Sequence, residues 1–198
     1  GTTLYSLDGI TWTDWTSTCG ANDNESLWDV AYGSSTWVAV GDNGSIYTSD
    51  ESSCTKRTSG TTVEFNELIY GNSTFVAIGD NATILTSSDG TTWTSSCCND
   101  ITNNLYGGLY SETASGNKLH YTVGQSGKFV WSSNNGSSWN TWSISVSTHI
   151  YGVTHGANTT VLVGSSGTIY TAADSENDFT ARTSGTTESL RRVFYVGE

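Results

Sequence analysis

Short runs of β-branched and aromatic residues, separated by turn-forming residues, recur along the whole chain. None shows the spacing of three to four residues between apolar positions that is typical of an amphipathic helix. One segment occurs four times, beginning at Gly41, Gly79, Gly124 and Gly164, in steps of 38, 45 and 40 residues. Each copy places a turn signal before an apolar strand. The pattern therefore predicts an all-β protein built from repeated units.

The same order of parts surrounds each copy of this segment. A first strand ends in Tyr or His, an apolar second strand precedes the turn, and a more polar fourth strand follows a Ser-rich turn. First strands are predicted at Leu27–Tyr32, Phe65–Tyr70, Leu105–Tyr110, Ile150–His155 and Leu190–Tyr195. Four short strands in ~40 residues are typical of a propeller blade, whereas a β-solenoid needs a coil of only ~20–30 residues. We predict a five-bladed β-propeller that forms a single domain over residues 1–198.

The blade boundaries leave the last blade one strand short. Blades are predicted at 27–64, 65–103, 104–148 and 149–188, with a closing blade made from 189–198 and 1–18. The chain starts with a third and a fourth strand, predicted at Thr2–Ser6 and Thr11–Ser17, and ends on a first strand. The closing blade therefore lacks its second strand. A short last blade, a longer natural chain or a strand donated by a partner would each account for this gap.

Three of the Ser-rich turns share the pattern S-x-[DN]-G-x-[ST]-W, at Ser6–Trp12, Ser87–Trp93 and Ser133–Trp139. This resembles the Asp-box of BNR-type propellers, which occurs in sialidases and in many non-enzymatic surface and assembly proteins. The usual box, S-x-D-x-G-x-T-W, is one residue longer. The Asp or Asn side chain can accept hydrogen bonds from backbone N–H groups of the turn, and Gly permits a positive φ. The resemblance implies a structural role for Asp8, Trp12, Asp89, Trp93, Asn135 and Trp139.

An enzymatic function is disfavoured. Sialidases use three substrate-binding arginines and an Arg-Ile-Pro motif, whereas this chain has no proline. Asp29, Glu67 and Arg192 align with Gly107 and Gly152 in the first strands and are expected to line a central channel. Two carboxylates can serve a glycosidase, but we favour charged residues that pair with one another in a narrow polar channel. No nucleophile elbow or phosphate-binding loop is present, and we expect no cofactor and no metal.

Charge and cysteine content indicate the compartment and the partners. With a net charge of −12, the chain is a poor partner for nucleic acid or an anionic membrane, and no apolar run is long enough to span a bilayer. A chain with neither a starting Met nor a signal peptide is interpreted as mature or trimmed. Disulfides of an extracellular protein are favoured over buried thiols. The four cysteines, which allow three pairings, are Cys19, Cys54, Cys97 and Cys98. Because a bond between adjacent cysteines is strained, Cys97 and Cys98 are each expected to pair elsewhere.

Two further sets of residues are candidates for carbohydrate chemistry. Four N-x-[ST] sequons lie in equivalent loops that are predicted to be exposed, at Asn43, Asn81, Asn72 and Asn158, and are possible N-glycosylation sites. Trp15 and Trp142 each follow a box Trp by three residues, so strand alternation turns them to the opposite face. There they could stack on a sugar ring or pack between blades.

The sequence thus favours a non-catalytic extracellular propeller module with a structural or assembly role in a surface appendage or filament. Its expected partners are other protein subunits, through self-assembly or a donated strand, and surface glycans are the alternative. A glycan-binding, lectin-like module is the second hypothesis. A glycoside hydrolase is the third and weakest.

Overall fold

Each of the four complete repeats folds into one antiparallel four-stranded sheet. The computed structural model describes residues 4–6, 8–14, 25–50, 53–98, 100–113, 115–144, 146–173 and 178–196. The strands, in chain order, are β1 (Leu4–Tyr5), β2 (Thr13–Asp14), β3 (Leu27–Gly33), β4 (Thr36–Gly41), β5 (Ile46–Ser49), β6 (Cys54–Arg57), β7 (Phe65–Gly71), β8 (Thr74–Gly79), β9 (Ile84–Ser87), β10 (Thr94–Ser95), β11 (Leu105–Glu112), β12 (Lys118–Gly124), β13 (Lys128–Ser132), β14 (Asn140–Ser143), β15 (Ile150–Gly156), β16 (Thr159–Gly164), β17 (Ile169–Ala173) and β18 (Thr180–Arg182).

Strands that follow one another in the chain are neighbours within a sheet, so the blades are simple meanders. Blade 1 is β3–β6, blade 2 is β7–β10, blade 3 is β11–β14 and blade 4 is β15–β18. The first strands β3, β7, β11 and β15 pack side by side in that order. This is the arrangement of blades around a propeller axis, and it confirms the predicted β-propeller architecture. The hairpin of β1 and β2 forms a separate two-stranded sheet, and a count of five blades stays a prediction.

The terminal segment 190–196 occupies the place of the next first strand. The backbone N–H of Tyr195 donates to Thr154 Oγ1 at 3.0 Å. A Cβ on Gly156 would overlap the Tyr195 ring, just as a Cβ on Gly71 would overlap the ring of Tyr110. The segment nevertheless forms no strand ladder within the described residues, although the sequence predicted a strand there. A ladder requires a hydrogen-bonded neighbouring strand, and no described strand pairs with this segment.

The core consists of apolar layers between neighbouring blades. Alternation along each strand directs successive side chains to opposite faces of the sheet. In blades 2 and 3, both faces are covered by a neighbouring blade. Between blades 1 and 2, Val38 and Val40 pack with Leu68 and Phe75. A second layer, which contains Val76 and Val130, lies between blades 2 and 3. A third layer lies between blades 3 and 4. We call the side of a blade that packs on the preceding blade its leading face, and the opposite side its trailing face.

Two of the Ser-rich turns are closed by the side chains of their Ser and Asp residues. Asp89 Oδ1 accepts the backbone N–H groups of Thr91 and Thr92 at 2.8 and 2.9 Å, while Ser87 Oγ accepts the N–H of Gly90 at 2.9 Å. Asp8 accepts the corresponding pair of N–H groups in the first box. The backbone N–H of Thr92, assisted by Thr91 and Ser87, holds the pKa of Asp89 well below its usual range. These carboxylates therefore act as acceptors that close the turn.

The third box uses Asn134, so the prediction of a structural turn role for Asn135 is wrong. Ser138 N–H donates to Asn134 Oδ1 at 2.9 Å, and Gly136 N–H donates to Ser132 Oγ at 2.9 Å. This turn thus follows the longer pattern S-x-D-x-G-x-T-W, beginning one residue earlier. Asn135 is the residue that the longer pattern adds between Asn134 and Gly136, and its φ is 55°. Its Oδ1 accepts a hydrogen bond from Asn72 Nδ2 at 2.6 Å. Its amide therefore links two blades instead of closing the turn.

We expect Asn134→Ala to destabilise the protein by about 1 kcal/mol, comparable to the loss of a side-chain cap over backbone N–H groups. Asn135→Ala is the matched control and should cost less, because the backbone bonds of the turn remain. Urea unfolding monitored by tryptophan fluorescence measures both variants. A larger loss for Asn135→Ala than for Asn134→Ala would contradict the assignment.

The three box tryptophans lie in different environments. Trp93 is half-buried, and its Nε1 donates to the Gly90 carbonyl at 2.9 Å. Trp139 is also half-buried, with Nε1 donating to Ser96 Oγ at 3.2 Å. Trp12, for which the resemblance implied a structural role, is exposed. The reason is that Trp93 and Trp139 each pack against an interblade layer, whereas Trp12 belongs to none of the layers formed by the described residues.

The cysteine pairing differs from the expectation. Cys97 and Cys98 form a disulfide with each other, although the sequence analysis expected each to pair elsewhere. Both side chains pack against the layer between blades 2 and 3, near Trp139. Both cysteines follow β10 and lie outside the strands of the sheet. Cys54 is also disulfide-bonded, and Cys19 lies outside the described residues.

Candidate functional site: the inner ends of the first strands

A β-bulge recurs at the same place in every first strand. The strand register shifts between Leu27 and Asp29, and again at the equivalent point of β7, β11 and β15. A bulge inserts one unpaired residue and redirects its side chain, and bulges are frequent beside functional sites. The inserted residues, with the aligned residue of the terminal segment, are Trp28, Asn66, Tyr106, Tyr151 and Arg191. We call these five residues the bulge row.

The residue after each bulge belongs to a second row, which we call the inner row. It consists of Asp29, Glu67, Gly107, Gly152 and Arg192. Arg192 Nη1 lies 3.3 Å from Glu67 Oε1, which joins the terminal segment to blade 2. Asp29 Oδ2 accepts the backbone N–H of Leu68 at 2.8 Å. A Cβ placed on Gly152 would lie 3.3 Å from Arg192 Cα. The structure therefore brings together the three charged residues that the sequence singled out.

Glu67 is the most perturbed acid of this site. Burial is the main cause that raises its pKa to about 7, and the negative charge of Asp29 adds to the shift, while Arg192 opposes it. Only 15% of the Glu67 side chain is exposed, against 70% for Arg192. The carboxyl group of Glu67 thus titrates at a higher pH than an exposed glutamate does.

The bulge row is aromatic on the side of blades 3 and 4. The rings of Tyr106 and Tyr151 have centroids 5.5 Å apart, and His149 lies 6.0 Å from Tyr106. The guanidinium carbon of Arg191 lies 5.1 Å from the Tyr151 ring centroid, within the range of a cation–π contact. Burial raises the pKa of Tyr106, and the charge of Asp80 adds to that effect. These rings form a half-buried apolar surface with polar edges.

On the side of blades 1 and 2, the bulge row is bound to acids of the neighbouring turns. Trp28 Nε1 donates to Asp42 Oδ1 at 2.7 Å, and this bond lowers the pKa of Asp42. Asn66 Nδ2 donates to Asp80 Oδ1 at 3.1 Å. Glu64 has a raised pKa because of its burial and the nearby charges of Asp42 and Asp80. The site therefore has an acidic sector and an aromatic sector that carries Arg191.

The other predicted site residues lie away from these rows. Trp142 is exposed on β14, a fourth strand, and Trp15 lies outside the described residues. Asn43, Asn81 and Asn158 are exposed in their turns, as expected, but Asn72 is half-buried and its amide donates to Asn135. Among the described residues, no group of three His, Cys, Asp or Glu is arranged to hold a metal ion. The described part of the chain also contains no helix that could cross a membrane.

Sequence reasoning found the inner row but missed the bulge row. The alignment of first strands that identified Asp29, Glu67 and Arg192 also places the bulge row one position earlier. An aromatic residue at that position in three of the five copies, at Trp28, Tyr106 and Tyr151, was the available signal. Strict alternation assigns neighbouring residues to opposite faces, so the pattern gave no reason to group the two rows.

The fold and these rows define a β-propeller with a polar and aromatic site where its first strands meet. No family model and no curated protein matches the chain. Among solved structures, it is similar to YCF48 bound to a D1 peptide, with a TM-score of 0.65 and 14% identity over 88% of this chain and 58% of that one. It is also similar to YCF48 from Cyanidioschyzon merolae, with a TM-score of 0.64 and 14% identity over 86% of this chain and 60% of that one. The chain thus spans less than two thirds of these proteins, and the similarity shows the fold alone.

Proposed function

We propose that this chain is a non-catalytic propeller module that binds a segment of a partner protein across the bulge row and serves an assembly role. The aromatic sector of the bulge row carries the proposal. Tyr and Trp contribute large contact areas at low cost in conformational entropy and are enriched where proteins bind one another. A protein of the same fold is seen with a bound peptide, which supports this type of partner.

The state of the inner row supports a binding role over a catalytic one. A hydrolytic pair of carboxylates must reach the scissile bond from either side. Here Asp29 is engaged with the backbone of blade 2, and Glu67 is paired with Arg192. The ion pair of Glu67 with Arg192 is compatible with the charge pairing that the sequence analysis favoured. Glycoside turnover that is abolished by Glu67→Gln would overturn the non-catalytic proposal.

We expect the double variant Tyr106→Ser and Tyr151→Ser to weaken partner binding by about tenfold or more, because aromatic anchors dominate binding energies. Binding is measured on an array of immobilised peptides of varied sequence. Trp142→Ser is the matched control, since it also removes an exposed aromatic ring but lies on a fourth strand. Equal binding by the double variant and the wild type, or no peptide binding at all, would refute this site.

Glycan binding is the second candidate, and the exposure of Trp142 favours it. An exposed indole on a strand offers a flat apolar surface for a sugar ring. The same Trp142→Ser variant separates the two functions on a glycan array. Saturable glycan binding that is lost in Trp142→Ser, and retained in the double tyrosine variant, would favour the lectin.

Two further parts of the proposal are a fifth blade and an extracellular location. In this proposal the hairpin of β1 and β2 and the terminal segment 190–196 belong to one blade, and a strand donated by a partner pairs with the open edge of the segment. The disulfides at Cys54 and at Cys97–Cys98 support an oxidising compartment, and a role in a surface appendage or filament is compatible with it.

A further inference from the structure

The disulfide between Cys97 and Cys98 does not act as an ordinary crosslink of the fold. A disulfide stabilises a protein mainly by restricting its unfolded chain, and the effect grows with the number of residues in the loop that the bond closes. These two cysteines are neighbours in the chain, so their bond closes no loop of intervening residues. The bond therefore contributes little of this stabilisation, and its effect on the protein must be local.

The segments that follow blades 1 and 4 show how the fold closes the same turn without cysteine. By the register of the third and fourth strands, the pairs equivalent to Cys97–Cys98 are Thr58–Ser59 and Thr183–Ser184. Ser59 Oγ donates to the Thr61 carbonyl at 3.1 Å and accepts the Thr61 N–H at 3.3 Å. Ser184 makes the same two hydrogen bonds with Thr186, at 3.2 and 3.3 Å. The segment after blade 2 thus has a covalent bond where the other two have hydrogen bonds.

The disulfide lies at the packed contact between blades 2 and 3. Both cysteines are half-buried and pack against the apolar layer there, together with Trp139. The preceding residue, Ser96, accepts the Nε1–H of Trp139 at 3.2 Å. On the other side, the N–H of Ile101 donates to the Cys98 carbonyl at 3.5 Å, and the Ile101 side chain is buried in the same layer. The bond therefore fixes the chain between two anchors of the interblade contact, and its partial exposure gives a small thiol access to it.

We propose that the Cys97–Cys98 disulfide is a reversible redox-modification site whose reactant is a dithiol. A thiolate of the dithiol attacks one cysteine sulfur, which forms a mixed disulfide and releases the other cysteine as a thiolate. The second thiol of the reactant then displaces the first cysteine. Two electrons and two protons pass to the protein, so Cys97 and Cys98 become thiols while the dithiol is oxidised to a disulfide.

Reduction changes the contact between blades 2 and 3. The reduced segment has neither the covalent bond nor the hydrogen bonds that a serine at position 98 would make, so the chain between Ser96 and Ile101 loses the constraint on its turn. The hydrogen bond of the Ile101 N–H with the Cys98 carbonyl should then open more often. The proposal goes beyond the binding role described above, and it needs no occupant of the bulge row.

Titration of the folded protein with dithiothreitol tests the site. After each incubation, free thiols are alkylated with iodoacetamide and the labelled cysteines are identified by peptide mass spectrometry. Cys97 and Cys98 should be labelled together, at a dithiothreitol concentration about tenfold or more below the one that labels Cys54, which forms a separate disulfide. Hydrogen exchange of the Ile101 amide should become faster on reduction and should return to its original rate after reoxidation with oxidised glutathione.

The double variant Cys97→Thr and Cys98→Ser is the matched control, because it installs the residue pair of blade 1. Its Ile101 amide should exchange at the same rate with and without dithiothreitol. Three outcomes overturn the proposal: labelling of Cys54 before or together with Cys97 and Cys98, unchanged Ile101 exchange in the reduced wild type, or an equal response of the double variant to dithiothreitol. The labelling and exchange of the wild type decide the proposal even without the variant.

Discussion

We expect Gly79→Ala to destabilise the protein by about 3 kcal/mol or more, at the upper end of what overpacking normally costs. A Cβ on Gly79 would overlap the carbonyl oxygen of Glu64 and would lie 3.0 Å from Phe65 Cα. That carbonyl accepts the backbone N–H of Asp80 at 3.0 Å, so moving it also breaks a hydrogen bond. Because the obstructing atoms are backbone, no side-chain rotation can relieve the overlap.

The cost at Gly79 is steric and does not come from the backbone dihedrals, since its φ of −165° is open to any residue. Gly60 is the matched control, because a side chain there would meet an unfavourable φ but no steric overlap. It has a φ of +76°, and nothing lies within 4 Å of its added Cβ. Gly60→Ala should therefore cost only about 1 kcal/mol, the usual penalty for placing a side chain in that region. Chemical denaturation of both variants measures the difference, and equal losses would contradict the steric explanation.

The same glycine shows why the repeat was predictable. Gly41, Gly124 and Gly164 make the equivalent close approach, to the carbonyl oxygens of Ser26, Asn104 and His149. Because only glycine fits at such a close approach, a glycine stands at this position in each of the four repeats. Its regular spacing is therefore visible in the sequence. The strands of blades 1 to 4 could be predicted for the same reason, because their apolar faces and turns repeat with the glycine.

The register inside the turns and bulges could not be predicted in this way. In the third box, Ser132 and Ser133 are both serines, and Asn134 and Asn135 are both asparagines. The pattern therefore fits in two registers, and only the hydrogen bonds of Ser138 and Gly136 distinguish them. The aromatic residues at three of the bulge positions did not reveal the bulges, because an aromatic residue fits a regular strand equally well. At 190–196 the recurring first-strand pattern predicted a strand, but no described strand pairs with this segment.

We expect His120→Phe to stabilise the protein by about 1 kcal/mol or more, by removing a buried polar group without a normal partner. His120 is fully buried, and neither ring nitrogen makes a hydrogen bond of normal geometry with the described residues. It occupies the position of Phe75 in blade 2, and its ring lies 5.1 Å from that of Tyr110, as Phe75 lies beside Tyr70. A Phe at 120 would repeat a pair that the fold already accommodates. The reciprocal change, Phe75→His, is the control and should destabilise the protein.

The pH dependence of stability provides the second measurement on His120. Burial lowers its pKa below the usual value, with a smaller opposing effect from the backbone of Gly71. The folded state therefore prefers the neutral ring, and the unfolded chain binds a proton more readily. By linkage, the contribution of neutral His120 is complete above the unfolded pKa of about 6.5 and is lost as the pH falls through the lower folded pKa. Unfolding free energies from about pH 7 to about pH 5 should fall more steeply for the wild type than for His120→Phe. Parallel curves would show that the folded state binds a proton at His120 as readily as the unfolded chain does, and would refute this origin of acid sensitivity.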